Sequence, residues 1–177
     1  MCSQLMNYKK VIPILIMSFL SFFSLRAQEI TLKAGDKAPD FTLRTEEGNT
    51  VKLSDFEGKS IIILYFYPKD QTPGCTKEAC NFRDNLEKFN ELGAKVLGVS
   101  VDDVDSHKSF KEKDNLNFTL LADPDKKVTK EYGVLNKFGV ASRVTFVIDK
   151  QGIVKKIYEK VDPANNYKEL LEYLKTM

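Results

Sequence analysis

Two cysteines five positions apart, Cys75 and Cys80, are the residues best suited to do chemistry. They lie in the stretch Tyr67-Pro68-Lys69-Asp70-Gln71-Thr72-Pro73-Gly74-Cys75-Thr76-Lys77-Glu78-Ala79-Cys80, just after an apolar run and at the start of a segment with helical spacing. Thr72 suits the N-cap of that helix and Pro73 its first position. Cys75 then falls in the first turn, where unpaired backbone N–H groups and the positive end of the helix dipole favour a thiolate, the nucleophilic form of cysteine. An accessible thiolate at the carboxyl end of a central strand is a functional geometry, whereas an inert structural thiol more often sits within the apolar run.

The spacing also carries mechanical information. Five residues along an α-helix rise about 7.5 Å and rotate about 140°, which sets the two Cα atoms roughly 8 to 9 Å apart. A disulfide bridges Cα atoms up to only about 7 Å apart without backbone movement. If both cysteines share one helix, the helix must unwind locally before they can bond. A permanent structural disulfide fits this spacing poorly, and a cycling redox pair fits it better. Zinc is poorly served as well, because two cysteines and the single histidine, His107, do not supply four ligands. His107 lies in Ser106-His107-Lys108-Ser109, which reads as a solvent-facing helix surface. Neither a metal nor a cofactor is expected.

The elements around the pair follow from periodicity. Residues 41–43 and 50–53 are short alternating segments around Glu46-Glu47-Gly48-Asn49, a β-hairpin pattern. Residues 60–67 are almost continuously apolar and β-branched or aromatic, as in a central strand covered on both faces. A helix is predicted from about Pro73 to Leu92, with Phe82, Leu86, Phe89 and Leu92 at helical spacing and Gly93 as its stop. A strand at 95–101, a polar helix at 105–114 with Phe110 inward, an extended segment at 118–122 and a short helix opened by Asp123-Pro124 follow. Strands at 143–149 and 153–160 flank Lys150-Gln151-Gly152, and a final helix after Asn165 buries Leu170, Leu171 and Leu174. This order predicts an α/β, thioredoxin-like fold: a central mixed sheet, helices on both faces and an N-terminal β-hairpin.

The chain has 177 residues, 42% hydrophobic and 29% charged, enough for one domain with a full core. Residues 1–27 hold Lys9, Lys10 and Arg26 and no acid, so the remainder carries 24 basic against 25 acidic residues. That balance lacks the basic face that nucleic acid requires. Lys9-Lys10 followed by the uncharged run Val11 to Leu25 reads as a signal peptide with cleavage after Ala27, leaving a single domain of residues 28–177. The run is shorter than the roughly 20 residues of a stable span; an uncleaved anchor is the alternative. Cleavage removes Cys2 and sends Cys75 and Cys80 to an exported, periplasmic and oxidising compartment.

At Pro68-x-x-x-Thr72-x-x-Cys75 the chain resembles the peroxiredoxins, and the continuation through Cys80 and Asn81-Phe82-Arg83-Asp84 resembles their bacterioferritin comigratory protein, or peroxiredoxin Q, subgroup. The similarity runs from Gly35-Asp36-Lys37-Ala38-Pro39-Asp40-Phe41 to Arg143-Val144-Thr145-Phe146-Val147-Ile148-Asp149 and covers residues 33 to 176. The short segment Leu135 to Ser142 looks like the compact peroxiredoxin Q form. The resemblance implies a thiol peroxidase acting on hydrogen peroxide and organic hydroperoxides. It makes Cys75 the peroxidatic and Cys80 the resolving cysteine. Thr72 would hydrogen-bond the peroxide, Pro68 and Gly74 would line its site, and Arg143 would be the active-site arginine. The implied partner is a thioredoxin-like dithiol protein, and intramolecular resolution leaves a monomer or weak dimer sufficient. An exported disulfide reductase or maturation factor on the same fold is the alternative. That chemistry normally uses Cys-x-x-Cys, whereas here four residues separate the cysteines and the chain has no Trp.

Overall fold

The computed structural model describes residues 30–177; the expected signal peptide at 1–27 lies outside them. In chain order the elements are β1 (Thr42–Thr45), β2 (Thr50–Lys52), a 3-10 turn (Leu53–Phe56), β3 (Ile61–Phe66), α1 (Pro73–Asp84), α2 (Leu86–Glu91), β4 (Ala94–Ser100), α3 (Val104–Asp114), β5 (Thr119–Ala122), α4 (Lys127–Glu131), β6 (Val144–Ile148), β7 (Val154–Tyr158) and α5 (Asn166–Leu174). The seven strands form one mixed sheet in the order β2-β1-β5-β4-β3-β6-β7. β3 pairs in parallel with β4, and β4 with β5, while β6 runs antiparallel to β3. The hairpins β1–β2 and β6–β7 are antiparallel, as their sequence patterns predict.

The apolar run of β3 is buried on both sides because the pleat sends alternate side chains into two separate cores. Ile62, Leu64 and Phe66 pack with Phe41, Val128, Tyr132 and Phe146 on one face. Ile63, Tyr65 and Tyr67 pack on the other with Ala79 and Phe82 of α1, Phe89 of α2, Phe110 of α3 and Leu170 of α5. Helices cover both faces, but unevenly: α4 stands opposite the other four. The ring of Tyr65 needs a glycine beside it. Gly98 is its register partner on β4, and a Cβ there would come within 2.7 Å of the Tyr65 ring.

One expected helix is two. The segment predicted from Pro73 to Leu92 breaks at Asn85, whose φ of −117° is not helical. Its side-chain amide donates to the carbonyl of Asn81 at 2.9 Å. An asparagine side chain can compete in this way for a carbonyl that the next helical turn would use.

Candidate active site

The loop from Tyr67 to Thr72 carries the chain from the carboxyl end of β3 into α1. Thr72 takes the N-cap position with extended backbone, and Pro73 follows at the first helical position. The Thr72 side chain does not cap the helix, contrary to the usual role of threonine there. Its Oγ1 donates back to the Lys69 carbonyl at 3.0 Å, closing the turn that precedes the helix.

Cys75 lies in the first turn of α1 and is 2% exposed, packed in the same apolar cluster as Tyr65, Tyr67 and Ala79. The expectation of an accessible thiol is therefore corrected. A cation reaches the Cys75 sulfur from the neighbouring strand of the sheet. Arg143, immediately before β6, directs Nη2 to Cys75 Sγ at 3.3 Å. Residues 68 positions apart meet because β6 lies beside β3 with Phe66 opposite Val144. Gly74 makes room for this approach, since a Cβ there would stand 3.3 Å from Arg143 Nη2. Pro68 lies half-buried at the end of β3.

A further member of the cluster is Glu78, one turn beyond Cys75. Its Oε2 accepts from Arg143 Nη1, and its side chain is 1% exposed. Oε1 is buried without a hydrogen-bond partner among the described residues. Burial pushes the Glu78 carboxyl from its ordinary 4.5 up to about 7, against the opposing pull of Arg143. The sequence did hold a signal for Glu78. Cys75, Glu78, Ala79 and Phe82 follow the spacing of one helix face, so Glu78 had to point inward with them.

Cys80 occupies the same unbroken helix, half-buried, and both cysteines are free thiols. Burial pushes the Cys80 thiol up; Arg83 opposes this, and the carboxylates of Asp114 and Asp84 add to it.

His107 is the clearest departure from expectation. It is fully buried, not solvent-facing, with Nδ1 at 2.8 Å from Asp70 Oδ2. Its neighbours Ser106, Lys108 and Ser109 are polar, but its spacing of three from the buried Phe110 sets it on the inward face of α3. No group of three or more His, Cys, Asp and Glu suited to hold a metal occurs among the described residues. A cleft of about 610 Å³ lies elsewhere, between the hairpin and α4, lined by Asp40, Arg44, Asp103 and Asp123 and containing neither cysteine.

The AhpC/TSA family pattern matches residues 34–157. Peroxiredoxin Bcp of Bacillus subtilis is 49% identical over 155 residues, covering 84% of this chain and 98% of that protein. The chloroplastic peroxiredoxin Q of Oryza sativa subsp. japonica is 49% identical over 146 residues, covering 81% of this chain and 67% of that one. Among solved structures, peroxidoxin BcpB of Mycobacterium tuberculosis superposes with a TM-score of 0.77 at 34% identity, covering 82% of this chain and 98% of that one. Peroxiredoxin Q of Xanthomonas campestris gives 0.75 at 32% identity, covering 83% and 97%. The likeness extends through both halves of the site, from the Cys75 helix to the Arg143 strand, and the chain belongs to the AhpC/TSA family, among the peroxiredoxins of the Bcp and peroxiredoxin Q kind.

Proposed function

We propose that this chain is a thiol peroxidase in which Cys75 is the peroxidatic and Cys80 the resolving cysteine. The observation that carries the reading is the 3.3 Å contact of Arg143 Nη2 with Cys75 Sγ in the first turn of α1. A guanidinium cannot lose its proton, so it stabilises the thiolate before reaction and the charge that spreads over the peroxide oxygens during it. The thiolate attacks the nearer oxygen of ROOH in line. An S–O bond forms, the O–O bond breaks, and RO⁻ departs to take a proton from solvent, leaving Cys75 as the sulfenic acid. Thr72 Oγ donates to one peroxide oxygen once it releases the Lys69 carbonyl, and Pro68 and Gly74 line the approach.

Cys80 then attacks the sulfenic sulfur, forming the Cys75–Cys80 disulfide and releasing water. This step requires α1 to unwind between the two residues, so resolution is gated by a local opening. A thioredoxin-like dithiol takes the disulfide back to two thiols. The near-complete burial of Cys75 favours small hydroperoxides. Residues 1–27 serve as a signal peptide for export to the periplasm, and residues 28–177 are the peroxidase domain, active as a monomer or weak dimer.

The test is steady-state peroxide consumption with a thioredoxin system, run on single variants. Cys75→Ser should abolish turnover. Cys80→Ser should stop turnover driven by the dithiol protein while a sulfenic acid, trapped by dimedone, accumulates at Cys75. Undiminished turnover in Cys75→Ser would refute the assignment.

A further inference from the structure

Asp70 stands two residues before Thr72, and its carboxylate is almost wholly buried. Oδ1 accepts from the Tyr67 hydroxyl at 2.7 Å, and Oδ2 accepts from the Ser106 hydroxyl at 2.7 Å. His107 Nδ1 lies 2.8 Å from Oδ2. Burial alone would raise the Asp70 carboxyl, but the hydrogen bond and charge of His107, with the bonds from Tyr67 and Ser106, hold it below its ordinary range. An ionised carboxylate only accepts, so His107 Nδ1 carries the proton and donates it. The Asp70 backbone N–H donates in turn to Asp102 Oδ2 at 3.0 Å, and Asp102 accepts from Ser100 Oγ at 2.6 Å. One loop residue is thereby tied to Tyr67 just past β3, through Asp102 to Ser100 at the end of β4, and to α3.

The next residue is tied to the same helix. Gln71 adopts φ +55°, a left-handed conformation unusual for a side chain of its kind. Its amide nitrogen donates to Ser109 Oγ at 3.1 Å, and its amide oxygen accepts from Lys113 Nζ at 3.3 Å. α3 is itself held against the sheet, since Lys111 pairs with Glu46, whose other oxygen accepts from the Leu120 N–H at 3.0 Å. A strained turn clamped to a braced helix over-determines the position of whatever follows it. Thr72 follows it directly, and Cys75 three residues later.

We propose that the buried Asp70–His107 pair is a positioning device for the peroxide step: it holds the turn before α1 so that Thr72 and Cys75 meet the substrate in line, and it stays fixed while α1 unwinds. The pair touches no reacting atom. It rests on the assignment of Cys75 and Thr72 made above. A displacement of about 1 Å in such a site costs on the order of a hundredfold in rate, whereas formation of the Cys75–Cys80 bond depends on a helix that leaves its place in any case. The two steps should therefore respond differently to loss of the clamp.

The experiment measures both rates separately in the full chain: oxidation of Cys75 by competition for hydrogen peroxide, and resolution by the decay of sulfenic acid. Asp70→Asn cannot accept from all three donors and should slow oxidation by about tenfold or more, with resolution within about threefold of wild type. His107→Leu should do the same. His107→Asn, whose amide can occupy the place of Nδ1 and donate to Asp70, should restore oxidation to within about threefold. Ser106→Ala removes a single half-buried hydroxyl and should slow oxidation by about threefold; it decides the matter if Asp70→Asn does not fold. Wild-type oxidation rates in folded Asp70→Asn or, failing that, in Ser106→Ala would overturn the proposal. So would equal slowing of both steps, or no gain of His107→Asn over His107→Leu. If instead wild-type protein consumes peroxide without oxidising Cys75, it is the peroxidatic assignment that fails.

Discussion

At Cys75 the difficulty is to keep a nearly buried sulfur reactive. In the proposed mechanism Arg143 meets it by contacting both Cys75 and Glu78: one guanidinium serves two groups, and the glutamate holds it in place. Removing the guanidinium in Arg143→Ala should lower the rate constant for peroxide by about 10²- to 10³-fold, as for loss of one preorganised donor. Competition against a second peroxidase for limiting peroxide measures this in a single turnover. Glu78 leaves a different signature. Its carboxyl is raised from the ordinary 4.5 to about 7 in the fold, so between those values the native state holds a proton that the unfolded chain has lost. Its contribution to stability therefore falls as pH rises through that window and is level above it. Urea midpoints measured across the window should show this fall in wild type and a shallower one in Glu78→Gln; parallel curves would contradict it. Cys75 and Cys80 stood out from residue type and spacing alone, whereas Thr72 was marked by residue type only as a helix cap, which its side chain does not provide, and its place in the site came from the family resemblance. Arg143 was legible only through family resemblance, because nothing local marks an arginine before a strand as a partner of Cys75 until β6 is laid beside β3.

On the proposed cycle helix α1 has to come apart between Cys75 and Cys80, and its two ends are held in different ways. At its start, Asp70 and Gln71 are hydrogen-bonded to His107 and Ser109 of α3. At its far end, the break at Asn85 separates it from α2, and Asn81 donates to the carbonyls of Pro163 and Ala164 at 3.0 and 3.3 Å. If the proposed opening occurs, these contacts confine it to the part of α1 that carries both cysteines. Oxidation should reduce helical circular dichroism by about one to two turns, with α2 intact by amide hydrogen exchange; protection lost throughout residues 86–91 would argue against Asn85 as the boundary. The core beneath α1 leaves little slack. Gly98→Ala drives a methyl into the Tyr65 ring and should cost about 1–3 kcal/mol in urea unfolding, as overpacking does. Every strand and helix that positions the site was readable from periodicity, with ends off by a few residues. The Asn85 break was not, because it turns on a local competition between one side-chain amide and the backbone for the Asn81 carbonyl; the burial of His107 was masked by its polar neighbours, although its spacing from Phe110 marked the inward face.

For the molecule as a whole, the fold brings three distant pieces of sequence to one end of the sheet: the β3–α1 loop, the start of α3 and the start of β6. Among the described residues no helix is long and apolar enough to cross a membrane. If residues 1–27 are a signal peptide, N-terminal sequencing of protein recovered from cells should begin at Gln28; protein that retains Lys9 and Lys10 would point to an anchor. In the proposed cycle one chain completes peroxide attack and resolution within its own helix. This is tested most directly by mixing fully reduced protein with one equivalent of hydrogen peroxide and mapping the products by peptide mass spectrometry. Two thiols should be lost rapidly, with a single Cys75–Cys80 linkage formed within one chain. Slow reaction with peroxide, or a linkage only between two chains, would contradict it.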